Sequence, residues 1–99
     1  MITVEMNEKY ASALKSINYK MEEALDEFLI LKFSASIAEY TDECKFFEAK
    51  YRVDFKSFED RIQNRVDEED FEEYDDYMAW KFAEEGRQYY QEQLNEIVR

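Results

Sequence analysis

From Glu8 onward the apolar residues keep a helical beat. Tyr10, Ile17, Ala24, Leu31 and Ala38 recur every seven positions, and Leu14, Met21, Phe28 and Ala35 follow the first four of them by four residues. Apolar side chains returned to one side of a helix in this way form an a/d-type seam. A second series lies beside it: Ile30, Phe33, Ile37, Tyr40, Cys44, Phe47 and Tyr51. The two series overlap between Phe28 and Ala38, which predicts a wide apolar face there and the deepest burial in the chain. Asn7 is a candidate N-cap, with Glu8 suited to the positive end of the helix dipole. The pattern predicts one helix over 8–51. Ser16 and Asn18 can compete for helical hydrogen bonds through their side chains, so a break near residue 17 is the alternative. The seam crosses this point without a change of phase, which favours a continuous helix with a kink.

Asp54 reads as the N-cap of a second, short helix over 55–65. Val53 before it and Phe58 within it have hydrophobic-staple spacing, and Phe55, Phe58 and Ile62 make a stripe at i, i+3 and i+7. The next ten residues of interest, 67–76, hold eight carboxylates. A third helix, over 69–98, is expected to start within them. Carboxylates in a first turn are stabilised by the exposed amides, each by about 0.3–1 kcal/mol. Tyr74, Tyr77, Met78, Trp80, Phe82 and Ala83 continue this helix, and Tyr90, Leu94 and Ile97 finish it. Gly86 lies inside at a cost of about 1 kcal/mol relative to Ala, and so marks a kink or a close helix approach. Residues 1–5 alternate like a strand but are too few to build a sheet; they are read as an arm.

Ninety-nine residues make a single domain, 1–99. One Gly and no Pro leave few turns, while 45% apolar and 17% aromatic content argues against a disordered chain. The expected fold is all-α: a long antiparallel helical hairpin with a short helix at the bend. A hairpin hides one side of each rod. The apolar face around 28–38 exceeds what one partner helix can cover, so a second chain is expected, either as a homodimeric helical bundle or as a different protein. Phe28, Leu31, Phe33, Ile37 and Tyr40 are the candidate oligomer interface.

Composition narrows the chemistry. There is no His and one Cys. This removes His-based zinc sites, Ser-His-Asp and Cys-His catalysis, Cys-based metal sites and an internal disulfide. A single Gly removes the phosphate-cradling loops. Carboxylates are abundant but belong to solvated helix faces rather than to a cleft that would tune a catalytic pair, and the acidic run lacks the spacing of a calcium loop. No catalytic residue, cofactor or metal is expected. Cys44, on a helical stripe, reads as a small buried hydrophobe. The N-terminal residues lack the features of a signal peptide and the longest apolar stretch is Phe28–Leu31, so a cytoplasmic protein that does not enter membranes is expected.

The net charge of -12 comes from 25 acidic and 13 basic residues. Such a chain is unsuited to contacting phosphates and is not expected to bind nucleic acid directly. Residues 51–99 hold 15 acidic and 7 basic residues, and few of these carboxylates have a cation at helical spacing. The acidic run therefore has three readings: a solvated helix start, a docking surface for a basic partner protein, or a nucleic-acid mimic. Beside it sit Phe71, Tyr74, Tyr77 and Trp80, whose helical spacing reads first as hairpin core; aromatics edged by charge are also an interface composition, which is the alternative. The candidate partner-binding residues are Asp67, Glu68, Glu69, Asp70, Phe71, Glu72, Glu73, Tyr74, Asp75, Asp76, Tyr77 and Trp80.

The segment Lys50-Tyr51-Arg52-Val53-Asp54-Phe55-Lys56-Ser57-Phe58-Glu59-Asp60-Arg61 resembles a joint found in small acidic helical proteins encoded beside prokaryotic toxin genes. Glu69-Asp70-Phe71 and Asp75-Asp76-Tyr77-Met78-Ala79-Trp80-Lys81 are similar to the acidic segment and helix start that follow it in those proteins. The resemblance covers about a third of the chain. It implies an antitoxin-like, non-catalytic module that neutralises a more basic partner, a toxin or nuclease from a neighbouring gene. A homo-oligomeric structural protein and an acidic nucleic-acid mimic are the alternatives. There is no separate basic module of the kind antitoxins use to bind DNA.

Overall fold

The computed structural model describes residues 8–65 and 70–99. Four helices follow one another: α1 (Glu8–Ser16), α2 (Met21–Tyr51), α3 (Phe55–Gln63) and α4 (Phe71–Ile97). Among the described residues there is no strand. α2 and α4 pack along each other as an antiparallel hairpin, and α3 sits at the bend against both. The molecule is a rod of 64 × 24 × 24 Å with a radius of gyration of 20.0 Å, where a compact globule of this length would have about 13 Å. The residue 1–5 arm and the Asn7 cap lie outside the described residues.

The expected continuous helix over 8–51 is broken at 17–20. Asn18 takes the left-handed conformation, φ 60°. The Tyr19 amide then donates to the Leu14 carbonyl at 2.9 Å and the Asn18 amide to that of Lys15 at 3.1 Å. This pair of bonds, one over five residues and one over three, is a Schellman ending. Asn enters the left-handed region more easily than most residues, and Ser16 Oγ donates to the Ala13 carbonyl at 2.6 Å, drawing on the same last turn. The phase of the apolar seam could not reveal this, because a capped break restarts the helix without regard to phase. α1 carries no buried residue and touches only α2.

The other ends follow from their caps. α2 stops at Arg52, also left-handed at φ 57°, whose amide donates to the Glu48 carbonyl at 2.7 Å. Asp54 then caps α3, accepting from the Ser57 amide at 2.8 Å, and Asp70 caps α4, accepting from the Glu73 amide at 3.1 Å. A hydrogen-bonded N-cap of this kind is worth about 1 kcal/mol.

Burial is concentrated at the bend. Cys44, Phe47, Phe58, Tyr77, Trp80 and Ala83 form the core, with Tyr40, Tyr51, Phe55 and Ile62 packed on it. Trp80 is its centre, with no exposed surface. Its ring lies 5.3 Å from that of Phe58, 5.5 Å from Phe55, 5.7 Å from Phe47 and 6.4 Å from Tyr51. The indole Nε1 has no hydrogen-bond partner among the described residues, so packing alone sets the ring's position.

The deepest burial expected at 28–38 is therefore corrected. Phe28 is 57% and Leu31 70% exposed. Only the second of the two apolar series, from Ile30 to Tyr51, turns towards α4; Phe28, Leu31, Ala35 and Ala38 of the first are exposed. The candidate oligomer interface splits in the same way. Phe33, Ile37 and Tyr40 are half-buried within the chain. Phe33 meets Tyr90 with ring centroids 5.7 Å apart, and Tyr40 stacks on Tyr90 at 6.1 Å. Phe28 and Leu31 remain on the outside.

Gly86 marks a close approach. A Cβ built there would lie 2.7 Å from Tyr40 Cε2 and 2.9 Å from its Cζ. Gly86→Ala should gain about 1 kcal/mol of helix propensity and lose about 1–3 kcal/mol by displacing the Tyr40 ring. A net loss of about 1 kcal/mol is expected in urea denaturation. In a Tyr40→Leu background the same substitution should become neutral or stabilising, because the obstructing ring is gone.

Candidate functional site

The acidic start of α4 and the aromatic residues that follow it were expected to form one partner-binding surface. The structure divides them into three groups according to where α4 turns each side chain. Asp67, Glu68 and Glu69 lie outside the described residues.

The first group ties α4 to the rest of the fold. Lys50 Nζ, at the end of α2, donates to Asp76 Oδ2 at 2.6 Å and Glu72 Oε1 at 3.0 Å. The Tyr51 hydroxyl donates to the same Asp76 oxygen. Glu73 receives both Arg61 of α3 and Arg65 just beyond it. Asp70 is engaged as the cap. These carboxylates have few cations at helical spacing, but tertiary ones engage them: the cations come from α2 and from α3 and its end, across the bend.

The ties shift the groups they join. Burial works to raise the Asp76 carboxyl, but hydrogen bonds from Lys50 and Tyr51 outweigh it and hold the group below its ordinary value of 3.8. The same bonds, led by that to Asp76, raise Lys50. Burial, then the bond to Asp76, pushes Tyr51 up to about 12. All three groups keep their usual charge near neutrality.

The second group is core. Tyr77 is 6% exposed and Trp80 fully buried. The Tyr77 ring stacks on Phe55 at 6.0 Å, and its hydroxyl donates to Glu59 Oε2 at 2.8 Å. Neither is a surface a partner can reach in the folded chain, which corrects their assignment as partner-binding residues. Cys44 is buried as expected. Burial, then its hydrogen bond to Glu84, pushes the thiol up to about 12, so it is an unreactive packing group.

The third group is free. Phe71 is 73% and Tyr74 54% exposed, and Asp75 is exposed without an ion pair among the described residues. Reading along the helix at about 100° per residue, this group continues through Met78, Phe82 and Tyr89, which are 47%, 64% and 55% exposed. These residues follow one another at helical spacing on the more exposed side of α4, and Phe82, at the margin of that side, also meets the Tyr40 ring of α2 edge-on with centroids 5.7 Å apart. Phe71 and Tyr74 were expected at a partner surface, Met78 and Phe82 only as part of the helix, and Tyr89 was not singled out; the spacing of 71, 74, 78, 82 and 89 was the available signal.

Among the described residues no group of three His, Cys, Asp or Glu side chains is placed to hold a metal ion. No helix among them is long and apolar enough to cross a membrane. A scan against protein-family models and searches of curated proteins and of solved structures give no match.

Asp76→Asn tests the bend electrostatics. Since the folded pKa lies below 3.8, the ionised carboxyl stabilises the fold above that value and loses its contribution as pH falls through the lower folded pKa. The melting temperature of Asp76→Asn should lie below that of the parent at pH 7, and the gap should close towards pH 2. A gap independent of pH would show that the carboxylate charge is not what the tie uses.

Proposed function

We propose that the chain is a non-catalytic protein-binding module, antitoxin-like, that neutralises a more basic partner such as the toxin or nuclease of a neighbouring gene. The observation that carries this reading is the outward face of α4. That helix already fills the hairpin core with Tyr77, Trp80 and Ala83, yet it leaves five further large apolar or aromatic residues, Phe71, Tyr74, Met78, Phe82 and Tyr89, in solvent. A monomer rarely keeps contiguous apolar surface of this kind unless something binds it. The net charge of -12 favours a basic partner and would speed encounter with it, while the exposed rings would supply most of the affinity.

A second reading, self-association, is favoured by the outer face of α2. There the large exposed residues Phe28 and Leu31 alternate with the small Ala24, Ala35 and Ala38. An antiparallel copy centred at position 33 would set Phe28 against Ala38 and Leu31 against Ala35. Large residues facing small ones let two helices approach closely. The two readings use different helices and are compatible.

Co-expression with the product of the adjacent gene, followed by light scattering on the purified material, tests both. The first reading expects a stoichiometric complex and relief of the neighbour's toxicity; absence of both contradicts it. The second expects a dimer of the free chain that Leu31→Glu dissociates without loss of helix content.

A further inference from the structure

We infer that the outward face of α4 is a docking site for a basic amphipathic helix. This rests on the partner-binding reading above and names its surface and the chemistry of its occupant.

The apolar part of the face runs from Phe71 to Tyr89, about 27 Å at 1.5 Å per residue. Phe71, Tyr74, Met78, Phe82 and Tyr89 fall within an arc of about 80° at 100° per residue. A helix of some 18 residues laid along α4 matches that length. The face belongs to a helix whose backbone hydrogen bonds are internally satisfied, so it offers no edge for a strand to join; side chains of another helix fitting between its ridges are the available mode.

Charge selects the partner. Asp75, Glu85 and Glu92 lie on the same side, and all three are exposed. No hydrogen bond or ion pair engages any of them among the described residues, whereas Glu72, Glu73, Asp76, Glu84 and Glu96 are each held by a cation. The one cation at the margin is Lys81, whose ammonium stands 6.0 Å from the Tyr77 ring. An occupant with Lys or Arg beside its apolar stripe would meet three unengaged carboxylates. A second copy docked face to face would bring three more carboxylates against these, and phosphate-bearing partners would be repelled by them. The outer face of α2 lacks this bias, since Lys32 accompanies Glu39 and Asp42 beside its apolar residues.

The test uses the full chain and three labelled peptides of about 20 residues. One is helical with a leucine stripe flanked by Lys, the second carries the same stripe flanked by Glu, and the third is a scramble of the first. Binding is followed by fluorescence anisotropy at low and high salt. The inference expects the Lys-flanked peptide to bind at least tenfold more tightly than the scramble or the Glu-flanked peptide. Phe82→Glu should weaken that binding at least tenfold. Combined Asp75→Asn, Glu85→Gln and Glu92→Gln should weaken it three- to tenfold and flatten its salt dependence. Leu31→Glu, on α2, should leave it unchanged. Circular dichroism confirms the fold of each variant, and the triple neutralisation, which places no charge among apolar groups, stands alone if Phe82→Glu unfolds.

Three results would overturn the inference. Tight binding of the Lys-flanked peptide that survives both sets of α4 changes would move the site elsewhere and leave the basic-partner reading standing. No preference for that peptide over its scramble would remove both. A dimer of the free chain dissociated by Phe82→Glu would assign the face to a second copy.

Discussion

Two long helices touching along one line bury little surface unless large rings fill the space between them and something closes one end. In this chain both conditions are met at the bend. Trp80 enters from α4, Phe47 and Tyr51 from α2, and Phe55 and Phe58 from α3, so three helices converge on a single indole that has no exposed surface. The small Ala83, also fully buried, lets α2 and α4 come together one turn further along α4. α3 exists to complete this cluster: its cap at Asp54 fixes where it starts, and Phe58 is its buried residue. Away from the bend the contacts become pairwise, as between Phe33 and Tyr90, and the hairpin is held by one face of each helix only.

The acidic character of the chain is organised around the same point. Glu72, Glu73 and Asp76 fasten the first turns of α4 to Lys50, Arg61 and Arg65, which lie at or just past the ends of α2 and α3. Exposed ion pairs contribute little each, but Arg65, Glu73 and Asp76 are partly buried here, beside the aromatic cluster. Carboxylates farther round or along the helix, Asp75, Glu85 and Glu92, have no such task. Between residues 72 and 92 the division between tied and untied acids follows that between the inner and outer faces of α4, while Glu96, farther along the outer face, pairs with Arg99.

The helical class, the cap at Asp54 and the burial of Cys44 were legible from residue spacing, because each depends on near neighbours along the chain, and the hairpin followed from two long helices with few turns between them. Other features were missed or left open. The break at Asn18 stood as the alternative suggested by Ser16 and Asn18, and lost to a seam whose phase does not change across it. Which of the two apolar series of α2 would face α4 was undetermined, since both have helical periodicity and the choice depends on where Trp80 finds room. The partners of the acidic run are 22 to 26 residues away for Lys50 and on different helices, beyond any i,i+4 count. Tyr77 and Trp80 were counted among the partner-binding candidates because of their acidic neighbours, although their helical spacing favoured hairpin core, and α4 does turn them inward. The antitoxin-like reading had its support in residues 50–61 and 69–81, and among the described residues 50–61 and 70–81 build the bend.

The account holds that the hairpin is anchored at its aromatic bend and is progressively less secured towards its open end. Residue-resolved hydrogen exchange of the free chain measures this directly. The account predicts the slowest exchange at amides of residues 44–50 and 77–84, with protection falling towards residues 21–30 and 90–97. The slowest exchange at 28–38, with the bend opening first, would contradict it.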